Sequence, residues 1–319
     1  MRNNDFIGVI LAAGKGTRMF PFSERYPKPI LPIGGKPLIS YQLESLNTLG
    51  IKKVIIVIGH LGYEIVRTLG DGSKWGVEIQ YVEQEETLGI AHAVGQLEKK
   101  VDRPFVLFLG DIFFETDNLK LMLDLYKYKG ADCVVAVKEE KDPQAIKRNF
   151  AVYEDQNGII NRVIEKPRNP RTNLKGCGLY LFDLAFFDAV RRTPRTALRD
   201  EYEITDSIQI FVDYGYKVMA ARVIKEDLNL SFPPDLLALN LHFLEREGLE
   251  NIIGENVKIP KGCSVEKSVI MDNVHILHPI KISNSLIFPN QTITRAADIK
   301  GMILSEGTEV DCNHILKKK

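Results

Sequence analysis

The chain has 319 residues, 42 basic against 42 acidic, 45% hydrophobic residues and four cysteines. That length accommodates one large domain and a smaller one with a substantial core. The charge balance excludes the net field that draws nucleic acid or an anionic membrane surface, although a local basic pocket remains open.

Cys133, Cys177, Cys263 and Cys312 are far apart and make no CxxC pair. This argues against a zinc site and a disulfide framework and fits a reducing cytoplasm. No signal peptide is expected from the short apolar start, and no apolar run approaches a membrane span.

Residues 7–11 predict a strand that runs into the loop LAAGKGTR at 11–18. A P-loop needs two glycines four residues apart followed by Lys and Ser or Thr; here five residues separate Gly8 from Gly14, and Gly16 follows Lys15. The dinucleotide fingerprint needs a third glycine where Met19 stands. What remains is a strand, two glycines that let backbone N–H groups approach a ligand, and a basic residue, Arg18. That pattern suits a phosphate; a plain glycine turn with an exposed Arg is the alternative.

Downstream, residues 37–49 begin with Pro and end before Gly50, the asymmetry of a helix. Residues 53–58, 77–82, 105–109 and 133–137 are short β-branched runs, mostly apolar throughout, as expected of strands covered on both faces. Strands alternating with helical patterns predict βαβ units and a mainly parallel sheet. Between residues 150 and 182 the strands acquire polar breaks, which predicts an antiparallel or mixed extension. Residues 203–214 and 235–247 predict helices, the second with Leu236, Leu237, Leu241 and Leu244 on one stripe.

After Glu247 the periodicity becomes that of a repeat: IIGENVKI begins at 252, VIMDNVHI at 269, LIFPNQTI at 286 and MILSEGTEV at 302, so the copies start 17, 17 and 16 residues apart. Self-similarity at that period predicts stacked coils of short parallel strands, a β-solenoid. The expected fold is therefore α/β, a Rossmann-like mixed, mainly parallel sheet over residues 1–247, plus a β-solenoid over residues 248–319.

The stretch LAAGKGTRMFPFSERYPKPILPIGGKPLISY resembles the sugar-nucleotide pyrophosphorylases, or sugar-1-phosphate nucleotidyltransferases. The family pattern recurs in order: Gln84 and LGIAHAV, FLGD ending at Asp111, VIEKP with Glu165 and Lys166, GLYLFD with Gly178 and Tyr180, and EITD at 203–206. The chain is most similar to glucose-1-phosphate thymidylyltransferases and their uridylyl relatives, several of which carry a C-terminal left-handed β-helix.

The resemblance implies that a hexose 1-phosphate, with glucose 1-phosphate favoured, attacks the α-phosphorus of dTTP or UTP. Pyrophosphate leaves and an NDP-sugar forms with Mg²⁺ as cofactor. Leu11, Ala12, Ala13 and Gly14 would meet the base and triphosphate, and Gln84 and Gly89 the nucleobase. Arg18 would clamp the β- and γ-phosphates as a planar fork, and Lys28 would act as a point charge near the α-phosphate. Asp111 would hold Mg²⁺. Ala151, Glu165, Lys166, Gly178 and Tyr180 would surround the sugar phosphate. Lys15, Lys36 and His92 read as surface or packing residues. A homo-oligomer in the cytoplasm is expected, without nucleic-acid or membrane partners.

Two departures stand beside these matches. Family members usually place a second metal-binding Asp in a Trp-x-Asp-x-Gly stretch, whereas DLNLSFPPD puts Asn229 there. An amide oxygen coordinates Mg²⁺ without bringing negative charge. The glycine that lets the backbone approach the sugar appears as Ala151. An active transferase with weakened metal affinity is therefore set against a non-catalytic paralogue that binds a sugar nucleotide and regulates or assembles with a partner.

Overall fold

A computed structural model describes residues 5–197 and 200–316. The chain packs as two compact units interleaved in sequence: residues 1–14 with 41–227, and residues 15–40 with 228–319. The segment that follows the first glycine of the loop thus belongs with the C-terminal part of the chain.

The elements run β1 (Ile7–Ala12), β2 (Pro32–Ile33), β3 (Lys36–Pro37), α1 (Leu38–Thr48), β4 (Lys53–Ile58), α2 (Gly62–Leu69), β5 (Glu78–Glu83), α3 (Ile90–Gly95), β6 (Phe105–Leu109), β7 (Ile112–Thr116) and α4 (Lys120–Lys129). There follow β8 (Cys133–Glu139), α5 (Pro143–Arg148), β9 (Phe150–Glu154), β10 (Ile160–Glu165), β11 (Leu174–Phe182), α6 (Phe186–Arg192), α7 (Ile204–Asp213), β12 (Val218–Ala221), β13 (Ile224–Asn229) and α8 (Pro233–Glu247).

In the first unit, nine strands form one sheet with the path β10-β9-β11-β6-β1-β4-β5, to which β8 adds through β11 and β12 through β8. The strands β6, β1, β4 and β5 are parallel. β11 lies antiparallel to β6, β8 and β9, the mixed extension expected from the polar breaks. Val9, Ile55, Leu107, Val135 and Phe182 are buried in one core cluster with Phe186 and Phe211 from the helices. Continuous apolar strands follow from that cover: with both faces of the sheet buried, no position can afford a solvated polar side chain.

In the second unit, β2 and β3 form a tight antiparallel pair beside α8. Pro233 opens α8, where its missing N–H costs nothing, and the Asp235 carboxylate accepts from the Ser231 and Phe232 amides at 2.9 and 2.7 Å. Asn240, on the buried face of α8, donates to the Pro32 carbonyl and accepts from the Gly34 amide, both at 2.9 Å. One buried amide thereby fixes the PILPIGG segment to the helix.

Beyond α8, short strands stack in parallel ladders whose partners are 17 residues apart: Ile252 with Val269, Val269 with Leu286, and Leu286 with Ile303. The last copy starts at 302 in sequence but holds the same register through Ile303, so the ladder spacing is uniform. Two further ladders run through Val265, Ile282 and Ile299 and through Ile276 and Ile293. Their apolar side chains share one core with Ile270, Ile287 and Leu304. The strand Thr308–Asp311 folds back antiparallel on Met302–Ser305 and covers the last edge.

Candidate active site

The carboxyl edge of the parallel sheet is where such folds present a ligand site. β1 ends at Ala12, with Leu11 paired to Leu109 of β6 and to Val57 of β4. The Gly110 amide donates to the Leu11 carbonyl at 2.9 Å, so Asp111, half-buried, emerges beside the start of the glycine loop. Two turns that are far apart in sequence, at 11–14 and 110–111, are thus fixed side by side by strand register.

On the other flank of β1, Gln84 follows β5, its amide donating to the Ile58 carbonyl at 2.8 Å. Its side chain is 5% exposed, and its Nε2 donates to the Glu86 carbonyl at 2.7 Å and lies 3.3 Å from His92 Nδ1. The His92 ring stacks on Tyr202 with centroids 6.1 Å apart. Tyr202 also grips the loop before α3 through its backbone, donating to the Leu88 carbonyl at 2.8 Å and accepting from the Ala91 amide at 3.0 Å. Gly89, with φ of 109°, passes so close that a Cβ there would stand 2.5 Å from the Tyr202 carbonyl oxygen. No L side chain fits that conformation or that space.

The residues expected around the sugar lie on β9, β10 and β11. Ala151 is fully buried in β9, paired with Ile164 of β10 and Lys175 of β11. Glu165, at the end of β10, accepts from Thr205 Oγ1 at 3.2 Å and lies 3.7 Å from Lys166 Nζ. Lys166 turns there with φ of 40°, its amide held by the Asn149 carbonyl at 2.7 Å. Tyr180 is 1% exposed, its ring stacked between Phe150 and Phe182, and burial pushes its hydroxyl well above the ordinary range. The structure places that ring in the core.

Sequence reasoning missed an ion cluster that joins β11 to β8 and β13, with the Lys175–Asp227 pair buried at its centre. Lys175 Nζ lies 2.6 Å from Asp227 Oδ1 and 3.5 Å from Glu140, while Lys138 bonds Glu226 at 2.5 Å. Burial raises the Asp227 carboxyl, with Lys175 acting in the opposite direction. Removal of one partner would leave the other charge buried, at about 3–5 kcal/mol.

In the second unit, Arg18 is exposed on a short turn, its guanidinium 5.7 Å from the Phe232 ring centroid. Lys28 is only 8% exposed, and its stem runs beside Gly16, where a Cβ would approach Lys28 Cγ to 3.0 Å. The segment is anchored on the repeat: Phe22 stacks on Phe288 at 5.7 Å, Tyr26 meets the same ring at 5.2 Å, and Arg25 bonds Glu306 at 3.0 Å.

Comparison with protein families matches residues 7–227 to the family described as nucleotidyl transferase, and residues 245–317 to a GlmU-like C-terminal hexapeptide family. The chain belongs to the nucleotidyl transferase family. A UTP–glucose-1-phosphate uridylyltransferase of Haloferax volcanii is 35% identical over 227 residues, 71% of this chain and 92% of the relative. A glucose-1-phosphate thymidylyltransferase of Streptomyces antibioticus is 30% identical over 303 residues, 92% of this chain and 84% of the relative. In fold, the structure of a UDP-glucose pyrophosphorylase with UDP-glucose superposes with a TM-score of 0.66 at 22% identity, covering 75% of this chain and 98% of that one.

Members of this family generally use a divalent metal. Asp111 offers a half-buried carboxylate at the sheet edge, a donor type that fits a hard cation. Asn229 is exposed at the end of β13. Among the described residues no group of three or more His, Cys, Asp or Glu side chains is placed to hold a metal. No helix among them is long and apolar enough to cross a membrane.

Proposed function

We propose that this nucleotidyltransferase joins a hexose 1-phosphate to the nucleotidyl group of UTP or dTTP. A phosphate oxygen of the sugar bonds to the α-phosphorus, the bond to the bridging oxygen breaks, and pyrophosphate leaves. The observation that carries this reading is the alignment of Leu11–Gly14, Asp111 and Gln84 at one carboxyl edge of the sheet, in a chain whose relatives act on glucose 1-phosphate with UTP or carry thymidylyl transfer in their names.

Positioning and charge neutralisation do most of the work in such a transfer, because two anions must meet and charge develops on the leaving oxygen. In this reading Leu11, Ala12, Ala13 and Gly14 approach the nucleotide through backbone, and Gln84 and Gly89 hold the base. Arg18 and Lys28 meet the phosphates. Glu165 accepts from sugar hydroxyls, and Lys166 meets the sugar phosphate, with Ala151, Gly178 and Tyr180 shaping that side. Asp111 and Asn229 would hold Mg²⁺, which when bound neutralises phosphate charge. Residues 1–247 form the catalytic part. Residues 248–319 form a left-handed β-helix, which suits assembly into a homo-oligomer. A cytoplasmic setting fits the four free cysteines.

Pyrophosphate release from UTP, dTTP, CTP, ATP and GTP with glucose 1-phosphate, titrated with Mg²⁺, tests the proposal. Turnover with UTP or dTTP is expected, and Asp111→Asn should abolish it. Asn229→Asp should lower the Mg²⁺ concentration for half-maximal rate, since it restores a negative charge at unchanged size. Release by Asn229→Asp alone, with none from the natural chain, would make the protein a binding paralogue.

A further inference from the structure

The amide of Gln84 is oriented by chemistry alone. A backbone carbonyl accepts and never donates, so the side-chain atom 2.7 Å from the Glu86 oxygen must be the nitrogen. Its second hydrogen points to His92 Nδ1 at 3.3 Å, which requires the neutral imidazole with its proton on Nε2. Both amide hydrogens are therefore engaged within the protein. Oε1 accepts from no protein group among the described residues, so the side chain offers a ligand an acceptor and nothing else.

We infer that His92 is a specificity-positioning residue: by holding the second amide hydrogen of Gln84, it makes the base site select an imide N–H, as in uracil or thymine, and reject cytosine. This rests on the reading of Gln84 as a nucleobase contact. Uracil and thymine carry a donor at N3, which an acceptor-only Oε1 satisfies. Cytosine carries a lone pair at N3, and opposing two acceptors leaves both unpaired at a side chain that is only 5% exposed. The stack of His92 on Tyr202 and the backbone grip of Tyr202 on Leu88 and Ala91 hold the imidazole still. The amide therefore cannot turn over to offer N–H to cytosine without losing both internal bonds.

The experiment measures equilibrium affinities of UTP, dTTP and CTP for the full-length protein and three variants, with thermal unfolding as a control. His92→Phe keeps a ring against Tyr202 and removes the acceptor. It should narrow the UTP-over-CTP preference by about tenfold, the worth of one hydrogen bond in such discrimination. His92→Gln supplies an amide oxygen in place of Nδ1 and should keep most of the preference. An unchanged preference in His92→Phe overturns the inference, as does a loss in His92→Gln equal to that in His92→Phe. Gln84→Ala separates the two layers: if it leaves UTP and dTTP affinity unchanged, Gln84 does not touch the base, and the underlying reading fails with the inference.

Discussion

The two ends of a bound nucleotide, on this reading, are served by parts of the chain held in opposite ways. Gln84, His92, Gly89 and Tyr202 are fixed within the first unit by strand register, by backbone bonds of 2.8 and 3.0 Å at Gln84 and Tyr202, and by the 3.3 Å side-chain contact of Gln84 with His92. Arg18 and Lys28 belong to the second unit, in a segment with little regular structure that is held from outside itself, by Asn240 of α8 and by Phe288 and Glu306 of the repeat. On the proposed reading, base recognition would be a property of the sheet edge, whereas the segment proposed to meet the phosphates is held by side chains more than two hundred residues downstream. The repeat supports the segment at 22–26 through Phe288 and Glu306.

The sharpest way to break this contrast is Phe288→Ala. The ring is 2% exposed and packs on Phe22 and Tyr26, so its loss should destabilise the second unit by about 3–5 kcal/mol. A loop displaced by about an ångström costs on the order of a hundredfold in rate. Turnover should fall by about that factor, while affinity for uridine, which has no phosphate, stays the same. Uridine binding that weakens in step with turnover would show that base and phosphate recognition share one support.

Lys28→Ala acts on the same side with a smaller effect. Its stem lies along Gly16, and truncation removes no backbone hydrogen-bonding group, so the fold should persist. One lost charge contact to phosphate is worth about 1.5–3 kcal/mol, so turnover should drop at least tenfold. Affinity for uridine should again be untouched. Unchanged turnover at saturating substrate would remove Lys28 from the site and leave Arg18 alone on the phosphate side.

Much of this arrangement was legible in the residues, for reasons that also mark where legibility ended. Strands β1, β4, β6 and β8 declare themselves because both faces are buried, and α8 because its Leu residues form a stripe, although the helix begins at Pro233, two residues before the expected 235. The repeat is visible because each coil must present the same apolar positions to the next. His92 reads from sequence as a surface or packing residue, since a lone His on a short helix carries no period. Its partner Gln84 is brought back to it only by the turn at Gly89 and the grip of Tyr202. Tyr180 lies in the GLYLFD motif, and its ring stacks on Phe150 and Phe182 in a strand that is buried throughout, where no alternation marks which way a side chain faces. Phe22 and Tyr26 were opaque because what they pack on lies in another part of the chain.

The smallest effect tests the other half of the contrast, that the outer surface of the repeat supports and does not react. Asn256, Asn273 and Asn290 turn successive coils with φ of 56°, 59° and 61°, and their amides form a ladder, Asn256 Nδ2 to Asn273 Oδ1 at 3.2 Å and Asn273 Nδ2 to Asn290 Oδ1 at 3.0 Å. Two causes can hold such a corner: the tolerance of Asn for the left-handed region, and the amide ladder. Asn273→Ala removes both and should cost about 1–2 kcal/mol in thermal or denaturant unfolding. Asn273→Gly removes the ladder but frees the backbone, so it should cost less, about 0.5 kcal/mol, because exposed hydrogen bonds exchange readily with water. Equal losses in the two variants would assign the corner to the ladder, and a negligible loss in both would mean that the stacked apolar core sets the coil without help from its corners. In either variant turnover should match that of the natural chain, because Phe288 and the loop packed on it are unchanged. A fall in turnover without a fall in stability would instead give this edge of the repeat a part in the reaction, and the contrast between a reacting edge and a supporting stack would fail.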